Sequence, residues 1–179
     1  MVTPTARKPR TQDERAEIRR SDRAVFDDAD IAEMLSEGQV AFVATCSNDQ
    51  PYVLPNLYWF DADRRALYFH TAAEGRTREN VESNPKVSAS VATMGKLLPA
   101  ETAYEFSVAY DSVCVFGEAR IVEDEEEARF ALQGLLDKYF PDHVSGEDYR
   151  PITRNEIKRT TVFAIEIESW SGKRKVADS

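Results

Sequence analysis

The sequence predicts a mainly β fold with flanking helices, a six-stranded antiparallel barrel that is closed or partly closed. Three observations predict it. About six β-rich runs recur along the chain, the turns between the early ones are short, and helical periodicity is confined to a few stretches. The 179 residues suffice for one domain with a sizeable core. That domain is expected over 23–179, behind a mobile or partner-draped arm, 1–22, which holds Pro4, Pro9, mixed charges and few large apolar groups.

Asp27 or Asp28 is placed to cap a helix through Ile31, Met34 and Leu35, whose spacing makes one apolar face, and Gly38 to end it. Val40 to Cys46 is the first β run. The turn cluster Ser47 to Gln50 leads into a second from Pro51 to Phe60, giving a hairpin, and Asp61 to Arg65 turns the chain into a third, Ala66 to His70. A helix over about 75–83 stops before Asn84-Pro85, because a residue preceding proline is pushed out of the helical region. Val87 to Met94 and Ser112 to Val122 alternate as strands, with Gly117 a candidate bulge that lets the sheet curve. Asp124 and Glu125-Glu126-Glu127 precede Ala128, Leu132, Leu135, Leu136 and Tyr139 at helical spacing. Carboxylates favour a helix's first turn, so the acidic run marks a helix start rather than a metal site. Pro141 ends that helix, and Thr161 to Glu168 is the last strand.

Lysine and arginine total 23 against 32 aspartates and glutamates, a net charge of −9. That argues against general affinity for nucleic acid, which depends on a positive field, so any phosphate site must be local. No stretch is apolar and long enough to cross a bilayer, and a soluble protein with no membrane partner is expected. Cys46 and Cys114 lie in apolar strand-like runs and read as inert core thiols. With no charged segment leading into an apolar one at the start, a cytoplasmic location is expected.

The segment richest in chemistry is Leu67 to Thr77, where a hydrophobic strand runs into a Gly75-Arg76 turn that opens a helix. Amides at a helix start are unpaired and carry partial positive charge, and Arg76 adds a two-pronged charged contact, so this corner suits a phosphate. Taken alone, an arginine in a first helical turn is more often simply solvated. His70, one of two histidines, is either a strand-end side chain bonded to a loop or a group that serves the site. His143 lies in a loop-like segment and neither H-x-x-x-H nor C-x-x-C spacing occurs, so no metal is expected. G-x-S-x-G, P-loop and strand-anchored G-x-G-x-x-G patterns are lacking, which leaves serine hydrolase, P-loop and Rossmann chemistry without support.

Three runs resemble a known family: Pro51 to Tyr58, Phe69 to Thr77, and Trp170-Ser171-Gly172. They are similar to the R-x-V-L-L-K-x-Y, F-Y-T-N-x-x-S-R-K and W-x-G segments of the flavin mononucleotide (FMN) binding split barrels of the pyridoxamine 5′-phosphate oxidase type. The nitroimidazole reductase-like branch is nearer: its Y-V-V-P strand is met by Tyr52-Val53-Leu54-Pro55, and its L-Y-F-H-x-A-x-E-G-R run is nearly intact from Leu67 to Arg76. The likeness covers about Ile31 to Lys173. It implies a split barrel that binds FMN as a homodimer, with the flavin in a groove between subunits.

Carried over, the resemblance implies that Arg76 and Thr71 contact the flavin phosphate, with Thr77 where the oxidase has a second phosphate lysine. Val53, Leu54, Pro55 and Asn56 would lie along the isoalloxazine ring, and His70 beside it. Trp170 matches a tryptophan that approaches the flavin, Lys173 adds local positive charge, and Tyr110 and Ser112 fit the start of a later strand. Trp170 also reads as a core or interface aromatic, and Lys173 as part of a solvated tail. The oxidase's arginine and substrate-facing lysine are replaced by Pro51 and Asn56, and no R-x-H follows Trp170, so pyridoxamine phosphate loses its anchors.

The implied function is an FMN-dependent oxidoreductase passing electrons from a reduced donor to a small planar organic acceptor, nitroaromatic- or quinone-like. His70 would donate a hydrogen bond or proton to that acceptor. The other reading is a non-catalytic protein that binds flavin or haem on the same barrel, with His70 then an axial ligand. A deazaflavin is a third cofactor compatible with it.

Overall fold

The structure, a computed structural model, describes residues 13–177. A two-residue strand, β1 (Ala24–Val25), precedes helix α1 (Asp28–Glu37). Hairpins β2–β3 (Ala41–Ser47, Gln50–Asn56) and β4–β5 (Tyr58–Asp61, Ala66–Ala72) follow, then helix α2 (Arg76–Ser83). A long hairpin, β6–β7 (Lys86–Leu98, Ser107–Ile121), leads to α3 (Glu125–Tyr139), the single turn α4 (Arg154–Ile157) and the final strand β8 (Thr160–Lys175). The strands form one antiparallel sheet in the order β3-β2-β6-β7-β8-β5-β4, with β1 on β8. The helices flank it. Among the described residues no helix is long and apolar enough to cross a membrane.

The helix starts follow the local chemistry. Asp27 accepts from the Ala29 N–H at 2.8 Å and Asp124 from the Glu127 N–H at 2.8 Å, each satisfying a first-turn donor. α1 buries Ile31, Met34 and Leu35 and ends at Gly38. α2 ends at Asn84, before Pro85.

Among the described residues the strand count is eight rather than the expected six. Besides β1, the extra strand comes from the run Pro51 to Phe60, which is broken at Leu57 into β3, paired with β2, and β4, paired with β5. Tyr52, Leu54, Asn56, Tyr58 and Phe60 keep one facing parity through the break, so alternation alone shows a single strand. The break itself is held from outside the run. The Tyr139 hydroxyl of α3 accepts the Tyr58 N–H at 3.0 Å and donates to the Gln39 carbonyl at 2.7 Å. Because β3 and β4 are the two edges of the sheet yet joined by one residue, the sheet curls until its edges converge there. It stays open elsewhere, as a split barrel.

The later strands run beyond their expected ends. β8 continues through Trp170 to Lys175, so Lys173 belongs to a paired strand rather than a tail. Its pairing survives because the register with β7 shifts between Phe116 and Gly117, at the expected bulge. A Cβ at Gly117 would stand 2.0 Å from the Glu166 carbonyl oxygen, so only glycine admits that approach.

Two apolar clusters result. Leu67, Phe69, Val43, Val115, Phe163 and Ile165 lie inside the curl, with Phe69 and Phe163 stacked at 4.8 Å. On the opposite face, Ala66, Tyr68, Val162 and Ala164 of β5 and β8 pack against Ala128 and Ala131 of α3. Glu127 of the acidic run serves this layer, bonded to Arg120 at 2.6 Å and to the Tyr68 hydroxyl at 2.8 Å. Of the expected arm, residues 1–12 lie outside the described residues. From Asp13 the chain lies on the sheet: Ala16 is buried, Asp13 accepts from the Ser169 hydroxyl at 2.6 Å, and Arg15 pairs with Glu168 at 2.8 Å.

Candidate functional site

The corner between β5 and α2 is built to present backbone amides. Gly75 takes a φ of 142°, a backbone that favours glycine, and precedes α2 with no side chain capping the first turn. A Cβ there would meet nothing within 4 Å, so the corner is open. The helix is fixed against β2: Asn80 Nδ2 donates to Thr45 Oγ1 at 2.8 Å, and Asn84 Nδ2 to the Cys46 carbonyl at 3.1 Å. Arg78 is used internally, holding Glu82 at 2.9 Å and the Ala73 carbonyl at 3.1 Å. Arg76 makes no ion pair or hydrogen bond among the described residues, and its guanidinium lies 4.9 Å from the centre of the Tyr52 ring on β3. Tyr52 was not among the expected site residues. Its place opposite Thr45, beside the corner, comes only with the β2–β3 register.

The expected residues fall into three groups. Arg76 reaches the edge strand β3 at Tyr52, Thr77 follows it in α2, and Thr71 lies near the end of β5, the strand that leads into the corner. Thr77 is buried, and the Thr71 hydroxyl donates to the Ala72 carbonyl at 2.9 Å. Along β3, Val53 and Pro55 are exposed on the outer face, while Leu54 and the buried Asn56 turn inward. Among the described residues one long side of β3 is unpaired, leaving edge donors and acceptors for a planar partner.

A second group lies elsewhere on the sheet. Ser112 stands opposite Lys173 and Tyr110 opposite Lys175, with β2 and β6 between them and β3. Trp170 is buried in the core cluster: its Nε1–H donates to Asp28 at 2.9 Å, Phe60 meets it edge-on, and the Arg65 guanidinium covers its ring at 3.9 Å. The indole is thus tied into the packing under α1.

His70 forms the third group alone. Ala66, Tyr68 and His70 share the β5 face that looks at α3, whereas Leu67, Phe69 and Thr71 share the inner face. His70 and Thr71 therefore point to opposite sides. Its ring opens into a cavity of about 270 Å3 beneath α3, and partial burial pushes its pKa below 6.5, favouring the neutral imidazole. Among the described residues, no group of three or more histidine, cysteine or carboxylate side chains is placed to hold a metal ion.

The sequence profile of the pyridoxamine 5′-phosphate oxidase family matches residues 27–174. The chain belongs to that family. No curated protein matches it. Solved structures do, and the agreement extends over most of the chain. The flavocytochrome Anf3 from Azotobacter vinelandii is 25% identical, covering 92% of this chain and 75% of its own, with a TM-score of 0.79. The FAD and haem binding protein from Mycobacterium smegmatis is 21% identical over 88% of this chain and 76% of its own, at 0.76. A putative 5-nitroimidazole antibiotic resistance protein from Bacteroides thetaiotaomicron is 24% identical over 84% and 85%, at 0.69. The last two support the family's split-barrel fold.

Proposed function

We propose that this member of the family is a flavin-binding oxidoreductase that takes electrons from a reduced donor and passes them to a small planar organic acceptor of nitroaromatic or quinone-like type. The observation that carries the reading is Arg76, a cation without an ionic partner among the described residues, at the uncapped start of α2 and against β3. The residues fit a flavin of the FMN class. Arg76 and the first-turn amides would take the phosphate, with the Thr71 hydroxyl alongside, and β3 would offer its free edge to the ring. The bound flavin supplies the hydride or electron transfer. The protein's part is to hold the phosphate and orient the ring, leaving one face to the acceptor. Pro55, which has no N–H, leaves a gap in the edge ladder at the ring.

A homodimer belongs to this reading. Phe42, Val53, Leu57 and Met94 are large apolar side chains at least half exposed, and the first three lie on or beside the β3 edge. A second copy is the simplest cover for such an edge and face, and Lys173 would then matter through the partner's groove, whereas Trp170, buried under α1, stays within its own subunit's core. A cytoplasmic location goes with the two free thiols. The test is the absorption spectrum of freshly purified protein, with FMN, FAD and deazaflavin titrated into any colourless fraction. Two bands in the near-ultraviolet and blue that follow the protein support a flavin. A protein that takes up no flavin refutes the reading.

A second reading is favoured by His70 alone. A neutral imidazole facing an apolar cavity is a chemically sound axial ligand, and two of the similar structures are a flavocytochrome and a FAD and haem binding protein. An intense Soret band that His70→Ala removes would establish it.

A further inference from the structure

The loop from Ala72 to Gly75 joins β5 to α2, and its carbonyls are bound from within the chain. Arg78 Nη1 donates to the Ala73 carbonyl at 3.1 Å, and the Thr161 hydroxyl of β8 donates to the same oxygen at 3.1 Å. Arg78 Nη1 also meets the Thr161 hydroxyl at 3.4 Å. The Thr71 hydroxyl occupies the Ala72 carbonyl at 2.9 Å, and the Gly75 carbonyl accepts the Glu79 N–H at 3.2 Å. In a trans peptide the N–H points opposite the carbonyl of its own unit, so the Ala73 and Glu74 amides are turned away from these donors. Among the described residues the Ala73, Glu74 and Gly75 N–H groups meet no acceptor. We propose, resting on the flavin reading, that Arg78 is a positioning residue. With Thr161 it holds the Ala73 carbonyl back from the corner, so that the loop presents amides rather than an oxygen to the phosphate beside Arg76.

A carbonyl oxygen repels an anion and a run of backbone amides attracts one, so the way a single peptide unit faces decides what the corner accepts. Local sequence leaves that unit free. Ala73 lies between the last paired residue of β5, Ala72, and the freely turning Gly75. The brace supplies the missing constraint from two rigid elements. Thr161 is buried and set opposite Thr71 by the β5–β8 register. Arg78 lies in the first turn of α2, with its Nε held by Glu82 at 2.9 Å. Both donors are therefore anchored before an anion arrives, as a preorganised site requires. The two arginines of this turn divide the work: Arg78 is bonded to the loop, whereas Arg76 makes no hydrogen bond or ion pair among the described residues.

The test titrates the full chain with FMN and with riboflavin, which lacks the phosphate, and reads flavin fluorescence. Thr161→Val removes one donor without changing charge, and Arg78→Met removes the other. Each should raise the FMN Kd about fivefold or more and leave the riboflavin Kd within about twofold, and Thr161→Ser should restore the FMN value. In 1 M salt, where the screening length is about 3 Å, the Arg78→Met loss should persist, because a displaced peptide unit is not screened. Equal losses for both flavins would reduce the brace to general stability and overturn the proposal, as would an Arg78→Met loss that disappears in 1 M salt. If Thr161→Val does not fold, Arg78→Met in 1 M salt decides alone. A wild-type chain that binds neither flavin refutes the flavin reading and this inference with it. A wild-type chain that binds FMN beside variants that bind it equally well refutes this inference only.

Discussion

Arg76→Ala isolates the phosphate contact from the fold. A hydrogen bond between a charged donor and an anion is worth about 1.5–3 kcal/mol. Arg76 is exposed, so solvent screening keeps its contribution near the lower end, about 1.5–2 kcal/mol, which is roughly a 10- to 30-fold rise in the Kd for FMN. The same substitution removes only an exposed cation–π contact with Tyr52, worth about 0.5–1 kcal/mol, so unfolding should barely move. Flavin fluorescence quenching measures the first quantity and denaturant unfolding the second, and light scattering should report an unchanged oligomer. Arg76→Lys should recover part of the affinity, because a point charge replaces the two-pronged contact. A Kd within twofold of wild type, or an affinity loss no larger than the stability loss, would refute the reasoning.

Other perturbations probe the scaffold. Tyr139→Phe leaves the buried Tyr58 N–H without its acceptor at the β3–β4 break and should destabilise by about 2 kcal/mol in urea unfolding. Gly117→Ala forces a Cβ against the Glu166 carbonyl and should cost about 3 kcal/mol, read by the same assay. Lys138 sits 3.7 Å over the Tyr58 ring and donates to the Gly38 carbonyl, and burial pulls its pKa down from 10.5 to about 8. The folded chain then binds fewer protons than the unfolded one between those values, so stability should rise as pH increases from 8 towards 10, and Lys138→Met should flatten that slope.

Helices α1, α2 and α3 and their ends are legible in the sequence because capping and proline chemistry are local: Asp27, Asp124 and Pro85 each act within a few residues, whereas the single turn α4 is not among the expected elements. The Gly75-Arg76 corner was legible for the same reason. The split of Pro51 to Phe60 was not, since its inward parity is unbroken and the group that stabilises the break, Tyr139, arrives more than eighty residues later. Trp170 also depended on distant partners. Asp28 and Arg65, which hold it in the core, give no sign in its neighbourhood. His70 shows the remaining limit. Its position on a strand was evident, but which face it shares depends on α3 packing against Ala66 and Tyr68 rather than against Leu67 and Phe69.

The position of β8 has a consequence for how the chain assembles. It is central in the sheet, pairing with β7 along one side and with β5 and β1 along the other, yet it comes after every other strand in the chain. Until residues 160–175 emerge during synthesis, the β3-β2-β6-β7 ribbon and the β4–β5 hairpin are two separate pieces, each with a bare, sticky flank. Completion waits for an insertion step that pairs residues far apart in the polypeptide, the kind of non-local contact whose loop-closure cost slows folding.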